Sequence, residues 1–456
     1  MLSRLALVLA MVAACGDNLR YDYDDLVDVT GGNPYPFGCG DTTSANNAPV
    51  PGQEVEPSLA VDPASDTHLV AAWQQNRWST GGADGTGTAV SFDAGKTWTH
   101  ALPKFSRCAG GSFARTSDPW VAVDRDGTVY VESIGLDGSD SHSAVLVATS
   151  SDGGRSWGEP TALIDDDDPD VFNDKDSITA DPHVAGRAYA VWDRLTGLSH
   201  PDQPIGTGPA MFARATNGTW EPARAIFDPG VNAQTIGNIV AVLPDGTLVD
   251  VFTAFHDGQS DDIDAMPTTD IQVLRSMDGG TTWSAPIEVA PQASVGVPNL
   301  RTGDGLPELA VDPASGALYV AWEDSAFSQN THDGIVVAHS TDGGQTWSAP
   351  VVANGAPDVP AFTPQIAVAA DGTAGVFYYD LRADGQATAW LATSHDGGAT
   401  WSDEQLSGAF DQTIATVGGV AFLGDYEGLA ARGTDLVPLF AVAFRPEDPT
   451  DIFVRP

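Results

Sequence analysis

Lysine is nearly missing from this chain. Lys96, Lys104 and Lys175 are its only lysines in 456 residues, and all basic residues together number 20 against 62 acidic ones, for a formal net charge of −42. Nucleic acid and anionic membrane surfaces are thereby excluded as partners, because their phosphates would be repelled. Cysteine is scarce too, at Cys15, Cys39 and Cys108. No His/Cys cluster has zinc-site spacing, and no glycine-rich phosphate loop leads into a helix. Beyond the first residues no apolar run is long enough to span a bilayer, and no stretch carries a convincing amphipathic helical period. Much of the acidity sits in turn strings such as "VDPASD", "DRDG" and "LPDG", where Asp bonds to nearby backbone.

What is abundant is repetition. Ser-x-Asp-x-Gly-x-x-Trp occurs at 91–98, 150–157, 276–283, 340–347 and 394–401, and a worn copy, "ARATNGTW", ends at Trp220. The six tryptophans, Trp98, Trp157, Trp220, Trp283, Trp347 and Trp401, are 54 to 64 residues apart. Such a period means one structural unit used again. Around each motif run short β-branched or aromatic segments bounded by Gly, Asp and Pro, which read as strands. An A strand ("PSLAVD", "PWVAVD", "PELAVD") is followed by a B strand ("HLVAAW", "ALYVAW"). A C strand then ends in the motif's Ser, and a D strand begins at its Trp. Four strands in roughly 60 residues make the blade of a β-propeller, so the expected fold is all-β.

A, B and C strands occur seven times but D strands only six. An open ring would leave raw edges. The missing strand is expected from the N-terminus, with "DLVDVT" (25–30) the best candidate, giving seven blades; six blades with a packed tail is the alternative. The motif spans the C-to-D turn. Its glycine permits a turn conformation, Asp93, Asp152, Asp278, Asp342 and Asp396 accept turn amides, and the Trp fills space between blades. A catalytic role is not needed six times over, so the motif is read as structural.

"MLSRLALVLAMVAAC" has one Arg, a short apolar run and small residues before Cys15, the pattern of an export signal over 1–14. "VAAC" resembles a bacterial lipobox. That resemblance implies cleavage before Cys15, lipidation of that residue, and a location at the outer membrane, cell surface or periplasm, with the lipid as the only membrane contact. An ordinary signal peptide is the alternative. In an oxidising compartment Cys39 and Cys108 can form one disulfide or stay as two thiols. Residues 15–54 then form an N-terminal segment ahead of the repeats over 55–456.

The motif looks like the Asp-box, or BNR repeat, of the sialidase superfamily. The strings "DPWVAVDRDGTVYV", "NDKDSITADP" and "FLGDYEGLAA" resemble exported bacterial propellers of sialidase-like or glycosyl-hydrolase-like type. The resemblance implies an active face built from A-strand starts and B-strand ends, opposite the Asp-boxes. Sialidases use an arginine triad, a Tyr nucleophile with a Glu partner, and a loop Asp as acid/base. Tyr426 matches the nucleophile's string. Glu308 and Asp118 are A-strand-start carboxylates, with Glu308 offered as the base beside Tyr426. Asp84, in the glycine-rich "STGGADGTGT", stands for the loop acid. Arg77, Arg194 and Arg382 follow B strands and can hold a substrate acid, or each can pair with a neighbouring Asp. The first family arginine is missing: Val55-Glu56-Pro57 stands in its place, and Val cannot make a bidentate carboxylate contact. The expectation is therefore a monomeric surface propeller binding a glycan or protein through a degenerate sialidase site. The alternative is an exo-α-sialidase-type glycoside hydrolase with Tyr426 as nucleophile. No cofactor is required. Ca²⁺ can sit on the acidic run Asp165–Asp176, although that run lacks EF-hand spacing and a solvated loop is the simpler reading.

Overall fold

The computed structural model describes residues 25–36, 38–39, 49–137, 142–197, 206–256 and 268–456. The export signal and Cys15 lie outside these. The described residues are all-β, with three short 3₁₀ turns and no α-helix. No helix among them is long and apolar enough to cross a membrane.

Antiparallel sheets follow one another along the chain. The first unit is Glu54–Asp62, Ser65–Arg77, Ala83–Ser91 and Thr99–Ala101, each strand pairing with the next. Arg115–Val123, Val129–Asp137, His142–Ser150 and Thr161–Asp166 repeat the pattern, joined to the first unit through the single pair Ala83↔Thr116. Further units open with Val171–Ala180, Ala233–Val242, Glu308–Val311 and Ala361–Val368. The last contains Gly428–Arg432, Asp435–Arg445 and Asp448–Val454, and its fourth strand is Val27–Asp28, with Val27 opposite Val454. Cys39 and Cys108 form a disulfide across 69 residues.

The first strands share a defect. Between Val55/Ser58, Ser117/Trp120, Asp174/Ser177, Ile236/Ile239 and Phe362/Gln365 the register slips. At each slip the first extra residue has a left-handed φ: Glu56 (55°), Asp118 (50°), Lys175 (49°), Gly237 (70°) and Thr363 (51°). A bulge of this kind re-aims a side chain out of the pleat, and here it does so at matching places in five units. Below the bulges a cavity of about 290 Å³ is lined by first-strand residues of all seven units: Ser58, Trp120, Thr179, Val240, Leu309, Ile366 and Leu429.

At the other end lie the repeated turns, built alike. In the first copy Ser91 Oγ donates to Asp93 Oδ1 at 2.8 Å and accepts Gly95 N at 2.8 Å. Thr97 donates its amide to Oδ1 at 2.9 Å and its hydroxyl to Oδ2 at 2.7 Å. Ser156, Thr282, Thr346 and Thr400 repeat the Thr97 contacts, so the hydroxyl before the Trp belongs to the motif. The tryptophans pack across units: Trp157 Nε1 donates to Thr88 Oγ1 at 2.9 Å, and Trp283 meets Phe212 edge-on at 5.6 Å. The worn copy departs from the pattern. Ala215 pairs with Trp220 and Thr216 with Thr219, leaving Asn217 (φ 50°) and Gly218 (φ 74°) as a two-residue hairpin turn. Asn-Gly suits the two positive φ angles of such a turn, so no Ser or Asp is needed.

Candidate functional site

The bulges gather charge. Lys175 Nζ donates to Asp118 Oδ1 at 3.0 Å and to Asp425 Oδ2 at 2.7 Å. Arg301 grips Asp425 from the other side, with Nε 2.7 Å from Oδ1 and a second bond from Nη2. Arg77 lies 4.0 Å from Glu56 and donates to Gln74 Oε1 at 2.7 Å. Gln74 also donates to Glu56, and the Asp425 amide approaches Glu56 Oε1 at 3.4 Å. Glu56, Arg77, Asp118, Asp174, Lys175 and Arg301 line one cavity of about 180 Å³, with Phe172, Ile134 and Leu136 as apolar wall.

These surroundings divide the carboxyls. Burial, reinforced by Asp118, pushes Glu56 up to about 7 despite Lys175 and Arg77. Asp425 is buried too, yet Lys175 and Arg301 hold it well below the usual carboxylate range. Burial disfavours the Lys175 ammonium, but Asp118, Asp425, Asp174 and Glu56 together keep it charged, well above an ordinary lysine. A proton-holding carboxyl beside an ionised one is the arrangement from which acid and base roles are drawn.

Arg77 and Arg301 both lie over the Phe422 ring, 4.6 and 4.9 Å from its centroid. Phe422 packs on Val55 and Val417. Val55, where the family arginine would stand, thus supports the platform on which two other arginines rest.

The other expected site residues are dispersed. Tyr426 is buried, packs at a tilt on Trp120 with ring centroids 5.3 Å apart, and donates its hydroxyl to the Pro119 carbonyl at 3.2 Å. Burial first, then Glu56 and Asp118, push its phenol well above the usual value. It shares with Glu308 and Asp176 a cavity of about 20 Å³, room for about one water. Burial raises Glu308 to about 8 against a hydrogen bond from Gln365. Asp84 sits on the strand Ala83–Ser91 and not in a loop. Its oxygens accept Asn76 Nδ2 at 3.0 Å and Trp78 Nε1 at 2.8 Å, and it lines neither cavity. The glycines of that string serve packing: a Cβ at Gly85 would overlap the Tyr35 hydroxyl, and one at Gly87 the Trp73 indole. Arg194 forms a two-pronged pair with Asp166, at 2.9 and 2.8 Å. Arg382 lies 3.6 Å over Trp390 and pairs with Asp380 and Asp403. Of the three expected arginines only Arg77 reaches the charged cavity.

Sequence reasoning missed Lys175 and Arg301. Lys175 was hidden inside an acidic string, although it aligns with Glu56 and Asp118 at the A-strand starts. Arg301 comes from the segment Leu300–Arg301, which pairs with Val420–Phe422 outside the four-strand period; no repeat signal marks it.

Comparison with known proteins completes the picture. Residues 209–411 match the model of the BNR repeat-like domain. A sialidase of Bacteroides fragilis (strain YCH46) is 31% identical over 121 residues, 23% of this chain and 22% of that protein, so the chain aligns with about a fifth of that relative's length. Among solved structures, the α-L-arabinofuranosidase Arb93A from Fusarium graminearum is similar with a TM-score of 0.50 at 13% identity, over 81% of this chain and 97% of that one. The Hadza microbial sialidase Hz136 has a TM-score of 0.47 at 17% identity, over 89% and 65%. With five Asp-box turns built alike and a BNR repeat-like match over residues 209–411, the chain is similar to the sialidases and other BNR-repeat proteins.

Proposed function

We propose that the seven units are blades of one closed propeller, and that its charged cavity binds a single sugar unit of a glycan without sialidase-type turnover. Closure is supported by first strands from every unit lining one cavity, and by Val27–Asp28 extending the last sheet. One observation carries the binding reading: each cation of the site already faces a carboxylate of the same chain. Lys175 is held by Asp118 and Asp425, Arg301 by Asp425, and Arg77 stands near Glu56. A carboxylate clamp needs guanidinium groups free for the substrate. A mixed array of donors and acceptors with an apolar wall suits hydroxyl groups instead. At about 180 Å³ the cavity is smaller than the roughly 300–1,000 Å³ of a drug-sized site, hence one ring. Calorimetry with neutral mono- and oligosaccharides tests this. Phe172→Ala removes the aromatic part of the apolar wall without touching an ion pair. It is expected to weaken binding at least tenfold at unchanged Tm; unchanged affinity rejects the assignment.

A second reading rests on Glu56, whose proton is retained to about pH 7 inside the cavity. Such a group can act as general acid at a glycosidic oxygen. In that case Glu56→Gln abolishes hydrolysis of a fluorogenic glycoside and spares binding, whereas Tyr426→Phe leaves both hydrolysis and binding unchanged. Turnover of an α-sialoside that depends on Tyr426 would instead restore the sialidase mechanism. Export with a lipid on Cys15 belongs to the same proposal, and mass spectrometry of the membrane fraction tests it.

A further inference from the structure

We propose that the seam between the first and last sheets holds a calcium ion, bound by Glu54, Asp448 and Asp451. One oxygen of each lies within 4.8 Å of the others. Glu54 opens the first strand of the first unit; Asp448 and Asp451 lie on the strand Asp448–Val454, to which Val27–Asp28 is added. Backbone pairing fixes this approach: Thr450 donates its amide to Gly52 O at 3.1 Å and its hydroxyl to Glu54 O at 2.7 Å.

The second observation is an oxygen without a partner. Glu54 is only 3% exposed; its Oε1 accepts the Gln75 amide, while Oε2 has no hydrogen-bond partner. A carboxylate oxygen buried unmatched beside two further carboxylates is costly unless a cation joins them. The facing groups do not supply one. Arg445 pairs with Asp448 at 2.6 Å, but from the solvent side, with its side chain 59% exposed. Thr30 Oγ1 reaches Asp451 Oδ1 only at 3.4 Å. Asp28, a further acid of this seam, accepts the amides of Thr30 and Gly31 on its Oδ1.

The chemistry selects calcium. The donors are hard oxygens from flexible carboxylates. At about 2.3–2.6 Å per Ca²⁺–O bond, oxygens across one ion stand up to about 5 Å apart, so the cluster accommodates the ion as it stands. By contrast, the acidic run after Asp165 is parcelled out among separate partners: Asp165 faces His142, Asp166 takes Arg194, and Asp176 is buried near Glu132. Calcium would thus link residues about 396 positions apart, where the two ends of the repeat array meet.

The test uses the full chain, stripped with EDTA and titrated with CaCl₂ by calorimetry and thermal melting. One bound ion per chain and a Tm rise of a few degrees are expected. Asp451→Asn should lower calcium affinity at least tenfold and erase the Tm rise, while its melting in EDTA is unchanged or higher, because a repelling charge has gone. Asp167→Asn, in the acidic run, should bind as the wild type does. Absence of binding by the wild type, an undiminished calcium response in Asp451→Asn, or loss of it in Asp167→Asn would each overturn the assignment.

Discussion

Asp93, Asp152, Asp278, Asp342 and Asp396 at the repeated turns face water and receive three or more hydrogen bonds, and they are held down to about 2 by those donors. Among the buried strands, several copies of the same functional group have few donors or none. Burial raises Glu56 to about 7 and Glu308 to about 8, and Glu132, Asp176 and Asp250 rise well above the carboxylate range, both oxygens of each lacking a partner. Acidity in this chain therefore does two different jobs. Where turn amides and hydroxyls surround a carboxylate, its charge stabilises the fold; where they are missing, its charge is a cost that only a cation or a proton can offset. The turn acids are interchangeable copies, whereas the interior acids are individuals whose state depends on particular neighbours.

The sharpest way to break this contrast is to remove the interior cation. Lys175→Met leaves Asp118 and Asp425 buried without their ammonium, and breaking such a pair costs about 3–5 kcal/mol. Denaturant unfolding should show it; a loss below about 1 kcal/mol would mean the interior acids do not depend on Lys175. Next comes Trp347→Ala, which deletes a large ring packed across units and should cost about 3 kcal/mol with glycan affinity unchanged.

The pH dependence separates the two groups directly. Acids with raised folded pKa values bind more protons folded than unfolded, so their favourable contribution is complete below about 4 and is lost as pH climbs toward 7 to 8. Turn acids act in the opposite sense: their contribution is complete above about 4 and is lost as pH falls toward 2. Tm should peak near pH 4 to 5, and Glu308→Gln should flatten the alkaline limb. A Tm that keeps rising from pH 5 to 8 contradicts this. The smallest effect is expected at one turn copy: Ser340→Ala removes the bonds to Asp342 and Gly344 and should cost about 1 kcal/mol.

The strand framework was readable in the sequence because each turn carries its own signature, and the count of strands pointed to the N-terminus, where Val27–Asp28 pairs with the last strand. The site was less readable for a physical reason. It is assembled by bulges, and a bulge leaves no hydrophobic period to follow. Lys175 read as part of an acidic loop. Arg194 and Arg382 lie at B-strand ends; Arg382 pairs with its neighbour Asp380, as one of the two readings expected, and also with Asp403, whereas Arg194 is captured by Asp166, 28 positions away. Asn217-Gly218 kept the spacing of a motif while building a different turn.

The pairing of Val27–Asp28 with Asp448–Val454 also sets a timetable. Thr30 and Asp451 touch across 421 positions. At roughly 5–20 residues per second of synthesis, the earliest of these strands waits about 20 to 80 s for its partner. Every other described sheet can be complete before then, and all but the one that joins Leu300–Arg301 to Val420–Phe422 form from a local stretch of chain. The nascent molecule is therefore a string of nearly finished parts whose final edge stays open until synthesis reaches residue 454, and contacts of such long range are formed slowly. A chain cut short before the strand Asp448–Val454 would be expected to retain most of its sheets and yet expose the edge along which misassociation with another copy begins.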